Sequence, residues 1–234
     1  MKPFVEPEIK TPYEGVRSLV YELGDENETI LMVSEVEPYT EVPVHQHEDV
    51  QIGLVLEGAM EIVIEGVSSQ LTALQDAYWV PSNVPHSAKN TTSNVIRTLD
   101  IKRRKTALDD ARVTPCSKET RLIKVASDRS IKSEIGLSFF VGPWFEIMFS
   151  DLSPGAVMPR HSHRGVQIGL GMTGNYKMEV DGFEQQFKRN SVYFADENVP
   201  HSAVNESGAN ATSLNIFIPP RWNLLPKKQR ELEL

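Results

Sequence analysis

The sequence repeats itself about once every 115 residues. Residues 50–54, Val-Gln-Ile-Gly-Leu, recur at 166–170, and residues 83–88, Asn-Val-Pro-His-Ser-Ala, recur at 198–203. A repeat of this length is the size of a domain, whereas solenoid repeats have roughly 20 to 50 residues. The repeat therefore predicts a duplicated domain. The boundary is expected in the polar segment between residues 105 and 130, which divides the chain into an N-terminal domain, 1–116, and a C-terminal domain, 117–234.

All six histidines of the chain lie in the repeated motifs. Each half contains a His-x-His pair, and such a pair places two imidazole rings on one face of a β-strand because side chains alternate with a period of two. A glutamine with the same parity follows each pair. Imidazole is the commonest protein ligand for first-row divalent metals, so the sequence predicts one metal site in each half. The predicted ligands are His45, His47, Gln51 and His86 in the first half, and His161, His163, Gln167 and His201 in the second.

Short segments rich in Val, Ile and Phe, separated by turn residues, predict β-strands throughout both halves. Residues 60–64 run into Glu65-Gly66, and the equivalent residues 176–180 run into Asp181-Gly182, as in hairpins. Many short antiparallel strands in each half favour an all-β jelly-roll or barrel. The histidines, which share one parity, are then expected to point into the lumen.

Composition and charge exclude several classes of partner. The formal net charge is -8, the isoelectric point is about 5.3, and most basic residues are scattered along the chain, so nucleic acid is not an expected partner. The single cysteine, Cys116, cannot form an intrachain disulfide, and no apolar segment is long enough to span a bilayer. We expect a cytoplasmic protein that binds no membrane. Exposed barrel edges are compatible with a homodimer.

The repeated motifs resemble those of the cupin family. The first cupin motif, G-x5-H-x-H-x3,4-E-x6-G, matches residues 155–174 and 39–58, with glutamine in place of glutamate in both halves and Tyr39 in place of the leading glycine. In the second motif, P-x-G-x2-H-x3-N, the glycine is replaced by Asn83 and by Asn198. Asparagine is the non-glycine residue that best tolerates left-handed backbone. The resemblance implies a bicupin, with two tandem jelly-roll β-barrels that arose by duplication.

Within the cupin family, the chain resembles more specifically the bicupin isomerases of bacilysin biosynthesis. The shared features are the two glutamines, H-Q-H-x2-V-Q-I-G at 45–53, E-I-M at 146–148 and N-I-F-x-P-P-R at 215–221. This resemblance implies an isomerase that moves a ring double bond of a prephenate-derived 2-oxo acid, dihydro-4-hydroxyphenylpyruvate, into conjugation with the pyruvyl chain. A bicupin of aeruginosin biosynthesis is also similar, and the sequence does not decide between the two pathways. Trp222 stands where the bacilysin enzymes carry a tyrosine near the substrate.

The predicted ligand set suits Lewis-acid chemistry. Three neutral imidazoles and an amide leave a divalent ion with its full charge, which favours polarisation of the keto group of a 2-oxo acid. Fe2+ or Co2+ is favoured at both sites, and Ni2+, Mn2+ or Zn2+ is compatible with the same ligands. The alternative function is a cupin dioxygenase acting on a 2-oxo acid or an aromatic substrate, because three histidines on iron leave positions for oxygen. A third alternative is a non-catalytic cupin that serves in binding or storage. Such a protein is expected to have degraded metal motifs, whereas both motifs here are intact.

Other candidate site residues are less strongly indicated. Tyr193, with its counterpart Tyr78, is a candidate for proton transfer, although a half-buried barrel tyrosine is the simpler interpretation. Arg160 and Arg221 are candidates for binding the substrate, Arg160 as a charge partner and Arg221 as a ligand of the carboxylate. A surface arginine that closes a strand explains Arg221 at least as well. Trp222 is a candidate wall of the substrate site, and ordinary packing is equally compatible with it.

The second lumen is predicted to be larger than the first. Gly171 aligns with Val55, and Met178 aligns with Ile62, all on the parity assigned to the lumen. We therefore expect the second barrel to host the principal substrate site, with the first site structural or weaker. The glycine two positions beyond each ligand glutamine either leaves room for a ligand or allows the barrel to curve.

Overall fold

The computed structural model of the chain describes residues 2–24, 28–104, 122–124, 126–132, 135–141 and 145–221. The described residues form strands and contain no helix, so the predicted all-β class is confirmed. None of them belongs to an apolar helix long enough to cross a membrane. The strands are, in chain order, β1 (Phe4–Val5), β2 (Glu8–Tyr13), β3 (Val16–Leu23), β4 (Thr29–Val36), β5 (Glu41–His45), β6 (Val50–Glu57), β7 (Ala59–Ile64), β8 (Val67–Thr72), β9 (Asp76–Val80), β10 (His86–Lys89), β11 (Ile96–Arg103), β12 (Leu122–Lys124), β13 (Ala126–Lys132), β14 (Ile135–Val141), β15 (Glu146–Leu152), β16 (Val157–His161), β17 (Val166–Thr173), β18 (Asn175–Val180), β19 (Phe183–Lys188), β20 (Val192–Ala195), β21 (His201–Val204) and β22 (Ala211–Ile218).

The strands form two compact units with the same architecture. One unit is Pro7–Val125, with a seven-stranded sheet in the order β12-β9-β6-β11-β4-β3-β2 and a four-stranded sheet in the order β5-β10-β7-β8. The other is Met1–Glu6 with Ala126–Leu234, and its sheets run β1-β20-β17-β22-β15-β14-β13 and β16-β21-β18-β19. We call these the first and the second barrel. Every strand pair in them is antiparallel, as a jelly-roll requires.

Each barrel includes one edge strand from the other half of the sequence. Strand β1 pairs with β20, which places Phe4 opposite Tyr193, and β12 pairs with β9, which places Leu122 opposite Tyr78. The predicted domains 1–116 and 117–234 therefore differ from the compact units at residues 1–6 and 122–124. The physical reason is the backbone pairing of these two short edge strands. The predicted cut between residues 116 and 117 lies outside the described residues.

The barrel interior is built by strands with two different burial patterns. Strand β3 alternates at first, with Val16 buried and Arg17 exposed, because one of its faces meets solvent. Strand β6 is buried at every position except Glu57, and it lies between β9 and β11 in the seven-stranded sheet. Its counterpart β17 lies between β20 and β22 and is nearly as fully buried.

The asparagines of the second cupin motif serve the backbone. Asn83 and Asn198 have φ angles of 58° and 62°, which confirms the left-handed conformation expected where the motif has glycine. Asn90 and Asn205 are fully buried, and their amide groups donate to backbone carbonyls, including Val36 O in the first barrel at 3.1 Å. Val36 and Leu152, whose carbonyls accept these bonds, are the last residues of β4 and β15, so each asparagine connects the end of a strand to the segment that follows β10 or β21.

Candidate metal centres

The three histidines of the first barrel converge inside it. His45 ends β5 and lies opposite His86 at the start of β10, while His47 lies in the loop that follows β5. The ring centroids are 4.2 Å apart for His45 and His86, 5.1 Å for His47 and His86, and 6.0 Å for His45 and His47. One nitrogen from each ring lies within 4.8 Å of the other two. The predicted first triad is therefore brought together.

The second barrel repeats this geometry. His161 ends β16 opposite His201 of β21, and the centroid distances are 4.4 Å for that pair, 5.1 Å for His163 and His201, and 6.0 Å for His161 and His163. The ligand nitrogens again lie within 4.8 Å of one another. The two halves of the chain, which differ at most other positions, thus place three imidazoles in the same arrangement.

Backbone carbonyls fix the orientation of every ring. The Nδ1 atoms of His45, His47 and His86 lie 2.9 Å from the carbonyl oxygens of Pro43, Asp49 and Val84, and the second triad has equivalent contacts at 2.9 to 3.2 Å. Because a carbonyl oxygen only accepts, each Nδ1 carries the proton in these bonds. The Nε2 lone pairs are left to face the centre of the triad, as in many metal sites.

Each glutamine turns its amide oxygen toward the same centre. Gln51 Oε1 lies 2.8 Å from His47 Nε2, while Gln51 Nε2 donates to Asp100 Oδ1 at 2.8 Å and to Tyr78 OH at 3.1 Å. Tyr78 OH also donates to Asp100 Oδ1, at 2.5 Å. Since an ionised carboxylate can only accept, Asp100 fixes which end of the Gln51 amide faces the histidines.

A neutral network holds the glutamine of the second barrel. Gln167 Oε1 lies 2.8 Å from His163 Nε2, and Gln167 Nε2 donates to Tyr193 OH and, at 3.0 Å, to Asn215 Oδ1. Tyr193 OH donates to the same Asn215 oxygen at 2.8 Å, and Asn215 Nδ2 donates to Ser150 Oγ at 3.2 Å. The acceptor that is a carboxylate in the first barrel is therefore an amide oxygen in the second.

The donor sets fit a bound cation. In each barrel a histidine Nε2 and a glutamine Oε1, both lone-pair donors, face each other at 2.8 Å, and a cation between them removes their repulsion. The Nε2 atoms of His86 and His201 are buried and have no hydrogen-bond partner among the described residues. Burial lowers the pKa of His86 and of His201 to about 4, so both rings are in the neutral form that binds metals.

Burial also determines the protonation of the tyrosines beside the glutamines. It raises the pKa of Tyr78 and of Tyr193 well above the ordinary value for a phenol, with Asp100 adding to the effect in the first barrel and Tyr176 in the second. Both hydroxyls therefore keep their protons at neutral pH and act as donors.

A cavity adjoins each triad, and the second cavity is larger. The first, of about 150 Å³, is lined by His45, Gln51 and His86 together with Asp100 and Lys102. The second, of about 240 Å³, is lined by His161, Gln167, His201, Tyr193 and Arg221, with several methionines. Their order of size is the one predicted from the sequence.

The predicted reason for the larger second cavity is only half right. Met178 and Ile62 do line the second and the first cavity. Gly171 lines neither cavity. A Cβ added there would lie 2.0 Å from the backbone oxygen of Lys188, the last residue of β19 in the four-stranded sheet of the same barrel. The lack of a side chain at Gly171 therefore makes room for β19 and not for a ligand.

The glycines beyond the ligand glutamines make room for tyrosines. A Cβ on Gly169 would lie 2.0 Å from Cε1 of Tyr193, and a Cβ on Gly53 would lie 2.2 Å from Cζ of Tyr78. Gly169 is paired with Tyr193 across β17 and β20, and Gly53 with Tyr78 across β6 and β9. Each ring lies over its glycine and so brings its hydroxyl to the glutamine, a role that neither sequence interpretation included.

The two arginines predicted to bind the substrate have different environments. Arg221 lines the second cavity, its guanidinium lies 3.1 Å above the centre of the Phe217 ring, and its side chain is 17% exposed. Burial lowers the pKa of Arg221, and the negative charge of Glu146 partly opposes this shift. Arg160 is 60% exposed, lies 4.0 Å from Glu179 and does not line the cavity. Trp222 lies outside the described residues.

Comparisons with known proteins agree with this geometry. The family model described as "Cupin domain" matches twice, at residues 32–102 and 148–217. A Bacillus subtilis protein named H2HPP isomerase is 37% identical over 218 residues, which cover 93% of this chain and 89% of that protein. The predicted resemblance is therefore confirmed.

Solved structures show the same fold. AerE from Microcystis aeruginosa has a TM-score of 0.84 at 24% identity, covering 94% of this chain and all of that chain. Bacillus subtilis oxalate decarboxylase, a protein described with Mn(II) centres, has a TM-score of 0.71 at 14% identity, covering 97% and 81% of the two chains. With both motifs present in each of two barrels, the chain belongs to the cupin family, as a bicupin.

Proposed function

We propose that this isomerase moves a ring double bond of dihydro-4-hydroxyphenylpyruvate into conjugation with the pyruvyl chain, in the biosynthesis of a non-ribosomal peptide or antibiotic. The observation that carries the proposal is that one cavity of about 240 Å³ is lined by two histidines of the triad, His161 and His201, and by a largely buried arginine. A 2-oxo acid carries a keto oxygen and a carboxylate, which these two features match. The 37% identical relative named H2HPP isomerase supports the same reaction.

A divalent metal at each triad is part of the proposal. His161, His163, His201 and Gln167 would hold it in the second barrel, and their equivalents would hold it in the first. When bound, the ion supplies a Lewis acid that makes the protons beside the keto group more acidic. Fe2+ or Co2+ is the expected ion, and imidazole and amide ligands also accept Ni2+, Mn2+ and Zn2+.

The other cavity residues bind and orient the substrate. Arg221 is proposed to pair with the substrate carboxylate, since a guanidinium offers several donors in a plane that matches a carboxylate. Met148, Met158 and Met178 supply apolar, adaptable walls for the six-membered ring. Enclosure of the ring by these side chains excludes water from the reacting carbons. Arg160, exposed and outside the cavity, has no support from the geometry as a substrate ligand.

Tyr193 is proposed to take part in the proton transfer. It lines the second cavity, it keeps its proton, and its hydroxyl contacts the metal ligand Gln167. As a protonated phenol it would deliver a proton to the far end of the conjugated system and take up the proton that leaves the carbon beside the keto group, so that its own protonation is restored at the end of the reaction. The same hydroxyl orients Gln167, so Tyr193 also has a positioning role.

The first site is proposed to be structural or weaker in activity. Its cavity is smaller, and Asp100 adds a carboxylate beside the ligand glutamine, which repels an anionic substrate. Lys102 on the same face of β11 offsets that charge in part. The principal substrate site is therefore assigned to the second barrel.

The proposal is tested by mixing metal-loaded protein with dihydro-4-hydroxyphenylpyruvate without oxygen. We expect a red-shifted absorption band as the double bond enters conjugation, with Zn2+ as well as with Fe2+, because no redox step is required. Absence of the band without oxygen and its appearance with oxygen would identify a cupin dioxygenase instead. Absence of the band under both conditions would refute the proposed substrate.

A further inference from the structure

The second barrel buries a carboxylate that is not a metal ligand. Glu146, the first residue of β15, is completely buried. Its Oε2 accepts from the backbone N–H of Arg221 at 2.7 Å, and its Oε1 lies 3.4 Å from Arg221 Nη2. Since burying an unpaired carboxylate is strongly unfavourable, Glu146 and Arg221 depend on each other.

Three contacts hold the Arg221 guanidinium in place. Glu146 bonds one edge of it, Met148 Sδ lies 3.4 Å from the same Nη2 atom, and the Phe217 ring lies beneath it at 3.1 Å. The Nε atom is buried and has no partner among the described residues. A guanidinium fork has five N–H donors, so Glu146 leaves donors on Arg221 for a ligand.

The first barrel lacks this arrangement. Lys102 pairs with Ile30 and with Gln51 across the sheet, and at the equivalent register of the second barrel Phe217 pairs with Glu146 and with Gln167. The cationic side chain of the first cavity, Lys102, therefore lies on a strand. The cationic side chain of the second cavity, Arg221, lies three residues beyond the end of β22, where no strand partner fixes the backbone.

We propose that Glu146 is a positioning residue, which fixes the Arg221 guanidinium on the Phe217 ring so that it binds the carboxylate of a 2-oxo acid in the second cavity. The inference rests on the proposed use of this cavity and adds the residue that orients the carboxylate-binding group. A side chain after the end of a strand loses rotamer freedom on binding a ligand, and a partner that orders it beforehand reduces this loss.

The sign of the effect separates positioning from simple charge balance. Glu146→Gln keeps the size of the side chain and removes its charge. If Glu146 only balanced the charge of Arg221, this variant would bind an anion more tightly and Glu146→Asp would bind it as the wild type does. If Glu146 positions Arg221, both variants bind more weakly, because neither holds the guanidinium as the native carboxylate does.

The probe is phenylpyruvate, titrated calorimetrically into Zn2+-loaded protein. We expect Glu146→Gln and Glu146→Asp to raise its dissociation constant by about tenfold, and to leave the binding of 3-phenylpyruvamide, which lacks the carboxylate, unchanged. In an Arg221→Gln background, where the second change leaves no unpaired charge, Glu146→Gln should have no further effect. Unchanged or tighter binding in both Glu146 variants would overturn the inference.

Two further measurements separate this inference from general damage and from the proposed reaction. Glu35→Gln removes the carboxylate of the exposed Arg17–Glu35 pair, 3.5 Å apart, and serves as the matched control for the loss of an ion pair. Phenylpyruvate binding that depends on Glu146, in a protein that converts no dihydro-4-hydroxyphenylpyruvate, would refute the reaction and keep the inference. Conversion with a wild-type KM in Glu146→Gln would refute the inference alone.

Discussion

Replacing Gly169 by alanine is expected to disable the second metal site through a tyrosine. The backbone of Gly169 is not in the left-handed region, so alanine causes no conformational strain there. The added Cβ would instead lie 2.0 Å from Cε1, 2.5 Å from Cζ and 2.6 Å from Cδ1 of Tyr193, whereas ordinary contact begins at 3.4 Å. The ring of Tyr193, 1% exposed and packed against Phe187, has to move by more than 1 Å.

The expected loss of stability follows from this displacement. Overpacking a core by one methyl group costs roughly 1–3 kcal/mol. Moving the hydroxyl away from Gln167 and Asn215 breaks two hydrogen bonds, each of which contributes roughly 1 kcal/mol. We therefore expect the second barrel to lose about 3 to 5 kcal/mol of unfolding free energy. Metal affinity at that site should fall roughly 10- to 100-fold, because Gln167 is no longer oriented.

Urea denaturation and equilibrium dialysis against metal measure the two effects. Gly53→Ala is the matched variant in the first barrel, where the clash is with Tyr78 and only the first site should lose affinity. Gly208→Ala adds a methyl group that would meet nothing within 4 Å, and it should behave as the wild type. A Gly169→Ala protein with wild-type stability and two tightly bound ions would refute the idea that the ring of Tyr193 supports the ligand.

Other experiments test which of the two sites carries the activity, and how metal binding and protonation of the histidines affect stability. His161→Ala is expected to abolish turnover and His45→Ala to leave most of it, and an active His161→Ala enzyme would refute the assignment of the principal site. Tyr193→Phe removes the hydroxyl that orients Gln167, so it should lower kcat by roughly 100-fold and also weaken metal binding at the second site, as measured by steady-state kinetics and by equilibrium dialysis against metal. A chelator should lower the melting temperature, since bound ions stabilise only the folded state. In metal-free protein the folded pKa of His86 and of His201, about 4, lies below the ordinary 6.5, so the unfolded chain binds protons that the folded chain does not. Stability should therefore fall as the pH drops from 6.5 toward 4, as measured by urea denaturation across that range, and a flat profile would contradict the buried neutral rings.

The histidine triads could be predicted from the sequence because strand alternation is a local rule. A His-x-His pair on a strand has its rings on one face whatever the rest of the fold does, and the repeat supplied a third histidine at the same place in each half. The sequence also repeats Leu99-Asp100-Ile101 as Leu214-Asn215-Ile216. This repeat does not predict a role for residues 100 and 215, because their contact with the ligand glutamines depends on which strands become neighbours.

Contacts between distant residues account for the rest of what the sequence did not predict. Glu146 and Arg221 are 75 positions apart, and neither periodicity nor a motif joins them. Strand β1 has two residues and β12 has three, which is too few to show any alternation. The sequence therefore does not indicate that each of these strands pairs with the barrel formed by the other half of the chain. Gly171 was interpreted as space in the lumen, because parity indicates the face on which a side chain lies but not what packs against that face.

The edge strand β1 makes the second barrel a product of nearly the whole chain. The pairing of Phe4 with Tyr193 closes a loop that contains most of the chain, and closing so large a loop is slow compared with hairpin formation. Until it does, the backbone of β20 has an open edge available to other chains. Excising either half at the repeat boundary would leave its barrel one strand short, so isolated halves are expected to aggregate during refolding.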